Sequence, residues 1–270
     1  MTLHLAIEKL LLKSGKAMST SEIAKELNKN TWYTKKDKTK IQPFQIHGRT
    51  KNYLQLFNRN GSKVSLKTKS KRYITKTMKI PLPSPTQIAR SLAKWDEQEN
   101  YVLQERSLKK LFQETYPKNQ SIDDVLIKVC SLNDFYSTNI FSPFKVAKHI
   151  ISLGIDKNLE NGDLKLVNRI AKVSVTENKK KNFYSFASKY CSHHKPTIYP
   201  IYDYYVERML VHFRKQDHFD GFNRADLKSY PVFHKVISKF RTFYDLNNFD
   251  LKQIDKYLWI FGKEYFPRKY

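Results

Sequence analysis

Only seven glycines punctuate this chain of 270 residues: Gly15, Gly48, Gly61, Gly154, Gly162, Gly221 and Gly262. So few leave little room for left-handed turns, and no two are spaced as a G-x-G-x-x-G or Walker A loop requires. Nucleotide-driven enzymes are therefore disfavoured. Between the glycines, apolar residues recur at intervals of three and four, the period of an amphipathic helix. The expected fold is mostly α.

The first 66 residues read as a small module. Leu3, Ala6, Ile7, Leu10 and Leu11 share one helical face, and Gly15 stops that helix. Ser19 precedes Glu22 by three residues, the spacing of a capping box, and Ile23, Ala24 and Leu27 form the stripe of a second helix. Pro43 opens a third. Asn60-Gly61 then lies between Tyr53–Phe57 and Lys63–Leu66, a hairpin signal. Three helices and a hairpin describe a winged helix-turn-helix. Residues 67–85 read as a linker, with Lys67, Lys69, Lys71, Arg72, Lys76 and Lys79 followed by Pro81, Pro83 and Pro85. It either holds DNA loosely or is a solvated connector. Residues 86–270 read as a larger all-helical domain, with helices at about 86–96, 100–115, 121–131, 143–153, 163–173, 182–193, 200–213, 231–244 and 250–261.

Charge narrows the partner. Fifty Lys and Arg against 25 Asp and Glu leave a net charge of +25, which calls for a polyanion, and nucleic acid is the default. No run approaches a membrane span of roughly 20 apolar residues, and the amino terminus lacks the pattern of a secretory signal. Cys130 and Cys191 are the only cysteines, which excludes a disulfide framework or a four-cysteine metal cluster. The expectation is a cytoplasmic monomer without cofactor, bound to double-stranded DNA.

The third helix would enter the major groove with Gln45, His47, Arg49 and Lys51. Gln suits adenine and Arg suits guanine. Lys35, Lys36, Lys38 and Lys40 precede it as phosphate contacts or as a plain solvated face. Residues 3–66 resemble the HARE-HTH domain in Ala6-Ile7, Leu10-Leu11, the stretch Gly15–Ile23, Trp32-Tyr33-Thr34-Lys35-Lys36 and Gly61-Ser62-Lys63-Val64. That resemblance implies DNA binding and suggests the sensing of modified bases.

The densest chemistry runs from Phe183 to Leu210. Phe183, Phe186, Ala187, Tyr190 and Cys191 form one stripe, Pro196 ends that helix, and Pro200 can start the next. Asp203 then falls in the first helical turn, where the macrodipole favours a carboxylate, among Tyr199, Tyr202, Tyr204 and Tyr205. An anion among aromatic faces can stabilise an oxocarbenium-like sugar and orient a water, while the rings stack on an extruded base. It is equally the composition of a capped helix in an aromatic core.

The helix–loop–helix at about 163–193, with Lys195-Pro196 and Pro200-Ile201-Tyr202-Asp203 after it, resembles the end of the helix-hairpin-helix DNA glycosylase domain. The resemblance implies that Asp203 is catalytic. It also implies a lysine nucleophile in some members, for which Lys181 matches by position and Lys189 is the more embedded residue. The hairpin loop, Ser174–Lys181, contains no glycine, so Lys179 and Lys180 would take over phosphate contact. Tyr136 and Asn139, in a loop between two helices, would help fill the space left by the base. The implied activity is excision of a damaged or modified base, such as a hypermodified phage base, in repair or antiviral defence.

Two rivals remain. A non-catalytic DNA-binding regulator or restriction accessory needs only the charge. A metal-dependent endonuclease would use an acidic residue with a nearby lysine, as in Asp163-Leu164-Lys165, Asp226-Leu227-Lys228 and Asp250-Leu251-Lys252, although all three open expected helices, where Asp is a common cap. Cys191, His193 and His194 lack an evident partner cluster for a metal.

Overall fold

A computed structural model describes residues 2–30, 32–35, 37–54, 56–67 and 80–267. The chain divides into two compact units, Met1–Met78 and Lys79–Tyr270. Most of the basic linker, residues 68–79, and Lys36 lie outside the described residues.

In the first unit, helix α1 (Leu3–Ser14) buries Leu3, Ala6, Ile7, Leu10 and Leu11 and ends at Gly15 with φ 65°. Strand β1 (Met18–Ser19) leads into α2 (Thr20–Asn30). The capping box forms: the Ser19 amide donates to Glu22 Oε2 at 2.6 Å, and the Glu22 amide donates to Ser19 Oγ at 3.2 Å. Helix α3 (Pro43–Lys51) starts on its proline. Strands β2 (Phe57–Asn60) and β3 (Lys63–Leu66) form the hairpin, and the sheet order is β1-β3-β2, antiparallel throughout. The turn is Gly61-Ser62, with Gly61 at φ 61°. Tyr53 and Leu54 stay outside the strand. Ile23, Leu27, Ile46, Phe57 and Val64 close the core.

The second unit is mostly helical: α4 (Pro85–Asp96), α5 (Glu99–Lys109) continuing into a π-helical turn at Lys110–Thr115, α6 (Ile122–Tyr136), α7 (Pro143–Leu153), α8 (Asp156–Glu160) and α9 (Lys165–Ala171). Strands β4 (Lys172–Thr176) and β5 (Lys179–Asn182) follow as an antiparallel hairpin. Then come α10 (Tyr184–His194), α11 (Tyr204–Asp217), a 3-10 turn at Arg224–Lys228, α12 (Tyr230–Phe243) and α13 (Leu251–Tyr265).

This corrects the all-helical expectation for the larger unit. The run Lys172-Val173-Ser174-Val175 alternates, and Val173 is buried. A β-branched residue in every second position fits a half-buried strand better than a helix. The lysines 179–181 therefore sit on an exposed strand rather than in a loop. Helix α6 also runs on to Tyr136, and the segment Pro200–Tyr202 is not helical.

Helix α10 lies in the middle of this unit. Its residues are buried on every side, including the polar Ser188, Lys189, Ser192, His193 and His194. Most polar side chains buried in such a helix need partners, although Ser192 Oγ and His194 Nε2 have none among the described residues. Ser188 Oγ donates to the Ser185 carbonyl (3.0 Å) and accepts from the Tyr202 amide (3.0 Å), which ties α10 to the segment before α11. Among the described residues, no helix is long and apolar enough to cross a membrane.

Candidate functional site

A cavity of about 550 Å³ opens beside α10. That is within the range of ~300–1,000 Å³ in which small organic ligands are held. Its lining includes Tyr136, Ser185, Lys189, Asp203 and Asp255, and also Trp95, Tyr101, Glu105, Tyr205, Lys256 and Trp259.

Asp203 is the N-cap of α11, one residue before the first turn where the sequence suggested it. Its Oδ1 accepts from the Val206 amide at 2.9 Å. That bond satisfies one of the backbone amides left open at the helix start. Lys189 is buried, its Nζ 2.6 Å from Ser185 Oγ and 5.1 Å from the centre of the Tyr136 ring. The Tyr136 hydroxyl is 3.0 Å from His193 Nε2. Burial, with Lys252, His194 and Lys189 adding to it, pushes His193 well below the usual histidine range, so the ring that shares this hydrogen bond is neutral. Burial also raises the Tyr136 hydroxyl far above its ordinary value, with Asp255, Glu105 and Asp203 contributing.

Asp255, on the second turn of α13, was not singled out in the sequence. It is buried, and desolvation lifts its carboxyl to about 7; Lys252 and Lys189 oppose the shift, Asp203 adds to it, and the Ile201 backbone hydrogen-bonds the carboxylate. The native state thus keeps a proton that the unfolded chain releases near the usual 3.8. The Asp255 contribution is fully present below that ordinary value and is lost as pH rises to about 7. At ~1.4 kcal/mol per factor of ten in proton affinity, the loss is on the order of 4 kcal/mol. Urea titrations of wild type and Asp255→Asn should show the variant gaining relative stability from pH 4 to 7.5; a constant difference would mean that Asp255 ionises normally.

The aromatic cluster was also missed. Trp95, Tyr101 and Trp259 meet at 5.0–5.8 Å between ring centres. Glu105 Oε2 accepts from Trp95 Nε1 at 3.2 Å and pairs with Lys256 at 2.7 Å. These residues come from α4, α5 and α13, far apart in sequence, so no local pattern announces them.

The other expected site residues scatter. Lys181 is exposed on β5, 6.0 Å from the Phe141 ring, and does not line this cavity. Lys179 and Lys180 are exposed beside it. Tyr199 is fully buried, its hydroxyl donating to the carbonyls of Asn158 (3.4 Å) and Asp163 (3.3 Å). Tyr202 is buried with Lys228 Nζ 2.5 Å from its hydroxyl. Neither lines the cavity. Asn139 is an exposed residue with φ 57°, also outside the lining. Phe141, two residues on, is 85% exposed.

In the first unit, His47, Arg49 and Lys51 are exposed on α3. His47 Nδ1 lies 2.7 Å from an Arg59 guanidinium nitrogen, and Arg49 stacks at 5.9 Å on Tyr53. The Gln45 side chain accepts from the Gln42 amide (3.0 Å), so its carbonyl serves the helix cap. Lys35 pairs with Asp37 at 3.3 Å.

The nuclease triplets are helix-end devices. Asp163 accepts from the Lys165 amide at 2.9 Å, Asp226 from the Asn223 amide at 2.7 Å, and Asp250 from the Gln253 amide at 2.8 Å. Among the described residues no group of three or more His, Cys, Asp or Glu side chains is arranged to hold a metal. Cys191 is buried, and burial raises its thiol.

The family model HI_0787_N, described as an N-terminal domain, matches residues 87–198. That stretch runs from α4 through α10 and carries Trp95, Glu105, Tyr136 and Lys189, but stops short of Asp203 and Asp255. No solved structure matches the chain. An uncharacterized protein of Haemophilus influenzae (strain ATCC 51907 / DSM 11121 / KW20 / Rd) is 47% identical over 148 residues, covering 54% of this chain and 70% of that protein. By that identity over that share of the relative, the chain belongs to the same family as the Haemophilus influenzae protein.

Proposed function

We propose that the protein is a DNA glycosylase-like enzyme that draws a modified or damaged base out of duplex DNA and cleaves its N-glycosidic bond. The observation that carries this reading is one cavity lined by a capped carboxylate, Asp203, a buried lysine, Lys189, and aromatic rings. An extruded base needs flat faces to stack on, and the sugar cation left behind needs a nearby anion. Asp203 supplies the carboxylate, held at the start of α11 by its bond from the Val206 amide. Tyr136 and the Trp95–Tyr101–Trp259 cluster supply the faces.

Lys189 is the nucleophile of this reading. Its amine adds to C1′ of an opened abasic sugar and expels water to leave an imine, which permits strand cleavage. Phe141, exposed on the loop after α6 and flanked by Lys181, takes the part assigned to Asn139 and enters the vacated base step as an apolar wedge. The first unit loads the enzyme onto DNA as a winged helix: three helices, a hairpin, and exposed His47, Arg49 and Lys51 on α3 support that assignment. The net charge of +25 supports a polyanionic partner. A hypermodified base in phage DNA and a role in defence are the biological setting that this reading favours.

Abasic sites test the reading without knowledge of the base. Borohydride added to the protein with a duplex containing one abasic site should trap a covalent protein–DNA adduct. Lys189→Gln should lose it by roughly a hundredfold or more, as removal of a covalent nucleophile requires, whereas Lys181→Gln should keep it. An adduct that survives Lys189→Gln and vanishes with Lys181→Gln would move the chemistry to the strand.

A further inference from the structure

Three carboxyl groups, Glu105, Asp203 and Asp255, line the cavity, and their surroundings differ. Asp203 sits at a helix N-terminus with a backbone amide on its oxygen. Asp255 sits inside α13, 6% exposed, where no helix end favours a charge. The groups that act on it come from several elements: Lys252 on its own helix, Asp203 before α11, Lys189 on α10, and the Ile201 backbone. Tyr136 on α6 and Tyr230 on α12 lie within its field and stay neutral. Glu105 on α5 is already engaged by Lys256 and Lys252. Two carboxylates close enough to interact do not both ionise readily, and burial raises the Asp255 carboxyl.

We propose that Asp255 is the acid of the reaction, giving its proton to the departing base while Asp203 faces the sugar. This rests on the base-excision reading above. The C1′–N bond breaks with its electron pair going to the base, and the Asp255 proton goes to the same base. Water then adds to C1′ and gives a proton to Asp203, from which a proton returns to Asp255. One water is consumed, and the products are a neutral free base and an abasic sugar. The rise of the Asp255 carboxyl to about 7 supports the assignment, because an acid with a value near the working pH is both protonated and ready to give up its proton.

Two measurements test it. In the protein alone, the ¹³C resonance of the Asp255 carboxyl, assigned by its absence in Asp255→Asn, should titrate close to neutral pH. Titration below pH 5 overturns the proposal and leaves base excision standing. With DNA, single-turnover release is compared on duplexes carrying uracil, 5-fluorouracil, 5-hydroxymethylcytosine or 5-formylcytosine. Asp255→Asn should slow release of the poorer leaving group of a pair by roughly a hundredfold or more, the usual scale of general-acid catalysis. It should slow release of the better one by only a fewfold, and flatten the fall in wild-type rate above pH 7. Equal loss on both members of a pair, with the pH profile kept, would reduce Asp255 to a structural role and overturn the proposal. No release by wild type from any of the four duplexes, together with no borohydride adduct at an abasic site, would overturn the base-excision reading and this proposal with it.

Discussion

Asp203→Asn is expected to cut base release about a thousandfold and to leave duplex affinity unchanged. The magnitude follows from electrostatics. A unit charge ~4 Å from a developing cation, at an effective dielectric of ~20, is worth about 4 kcal/mol, or about three powers of ten in rate. The fold should survive, because Asn caps a helix as well as Asp does, and its carbonyl can accept from the Val206 amide in place of Oδ1. Single-turnover kinetics and a binding isotherm on the same DNA separate the two effects. A purely DNA-binding regulator would tolerate the change in every assay. Unaltered base release would remove Asp203 from the chemistry.

Gly262→Ala should be the most damaging small substitution in the larger unit. A Cβ at Gly262 would lie 2.6 Å from Tyr205 Cβ, 2.9 Å from the Tyr205 carbonyl oxygen and 3.0 Å from its carbonyl carbon. Two of those atoms are backbone, so no rotamer relieves the clash. Ala gains ~1 kcal/mol over Gly in helix propensity, but overpacking of this kind costs about 3 kcal/mol, so the clash wins. For a unit of this size the net loss lowers the melting temperature by about 4–8 °C. α13, which carries Asp255 and Trp259, is pushed away from the start of α11, where Asp203 and Tyr205 lie. Base release should therefore fall along with stability. Calorimetry of Gly262→Ala beside Gly221→Ala, where an added Cβ meets nothing within 4 Å, isolates the effect. Equal stability of the two variants would mean that the helices are not in the contact described.

Local rules explain what was legible before the fold was known. The α1 stripe, the Ser19–Glu22 box, the proline start of α3 and the hairpin each depend on residues within four positions of one another. The cavity also brings together Lys189 and Asp203, which belong to consecutive helices joined by a short segment. Lys179–Asn182 was misread because a run of lysines has no apolar alternation; its pairing is directed by Val173 on the partner strand. Tyr199 and Tyr202 were misread because proximity in sequence to Asp203 does not decide which way a ring points; both turn into the core. Asp255, Glu105, Trp95 and Trp259 could not be found locally. They reach the cavity only because α13 packs against α4 and α11, a pairing set by the tertiary core.

The central claim is that the cavity beside α10 releases a base from DNA. It is tested most directly by incubating the purified protein with normal, damaged and virally modified duplex DNA and weighing what leaves the polymer by mass spectrometry. The account predicts a free base from at least one modified DNA, absent with Asp203→Asn. DNA that is bound tightly by the wild-type protein yet yields no free base from any substrate would contradict it.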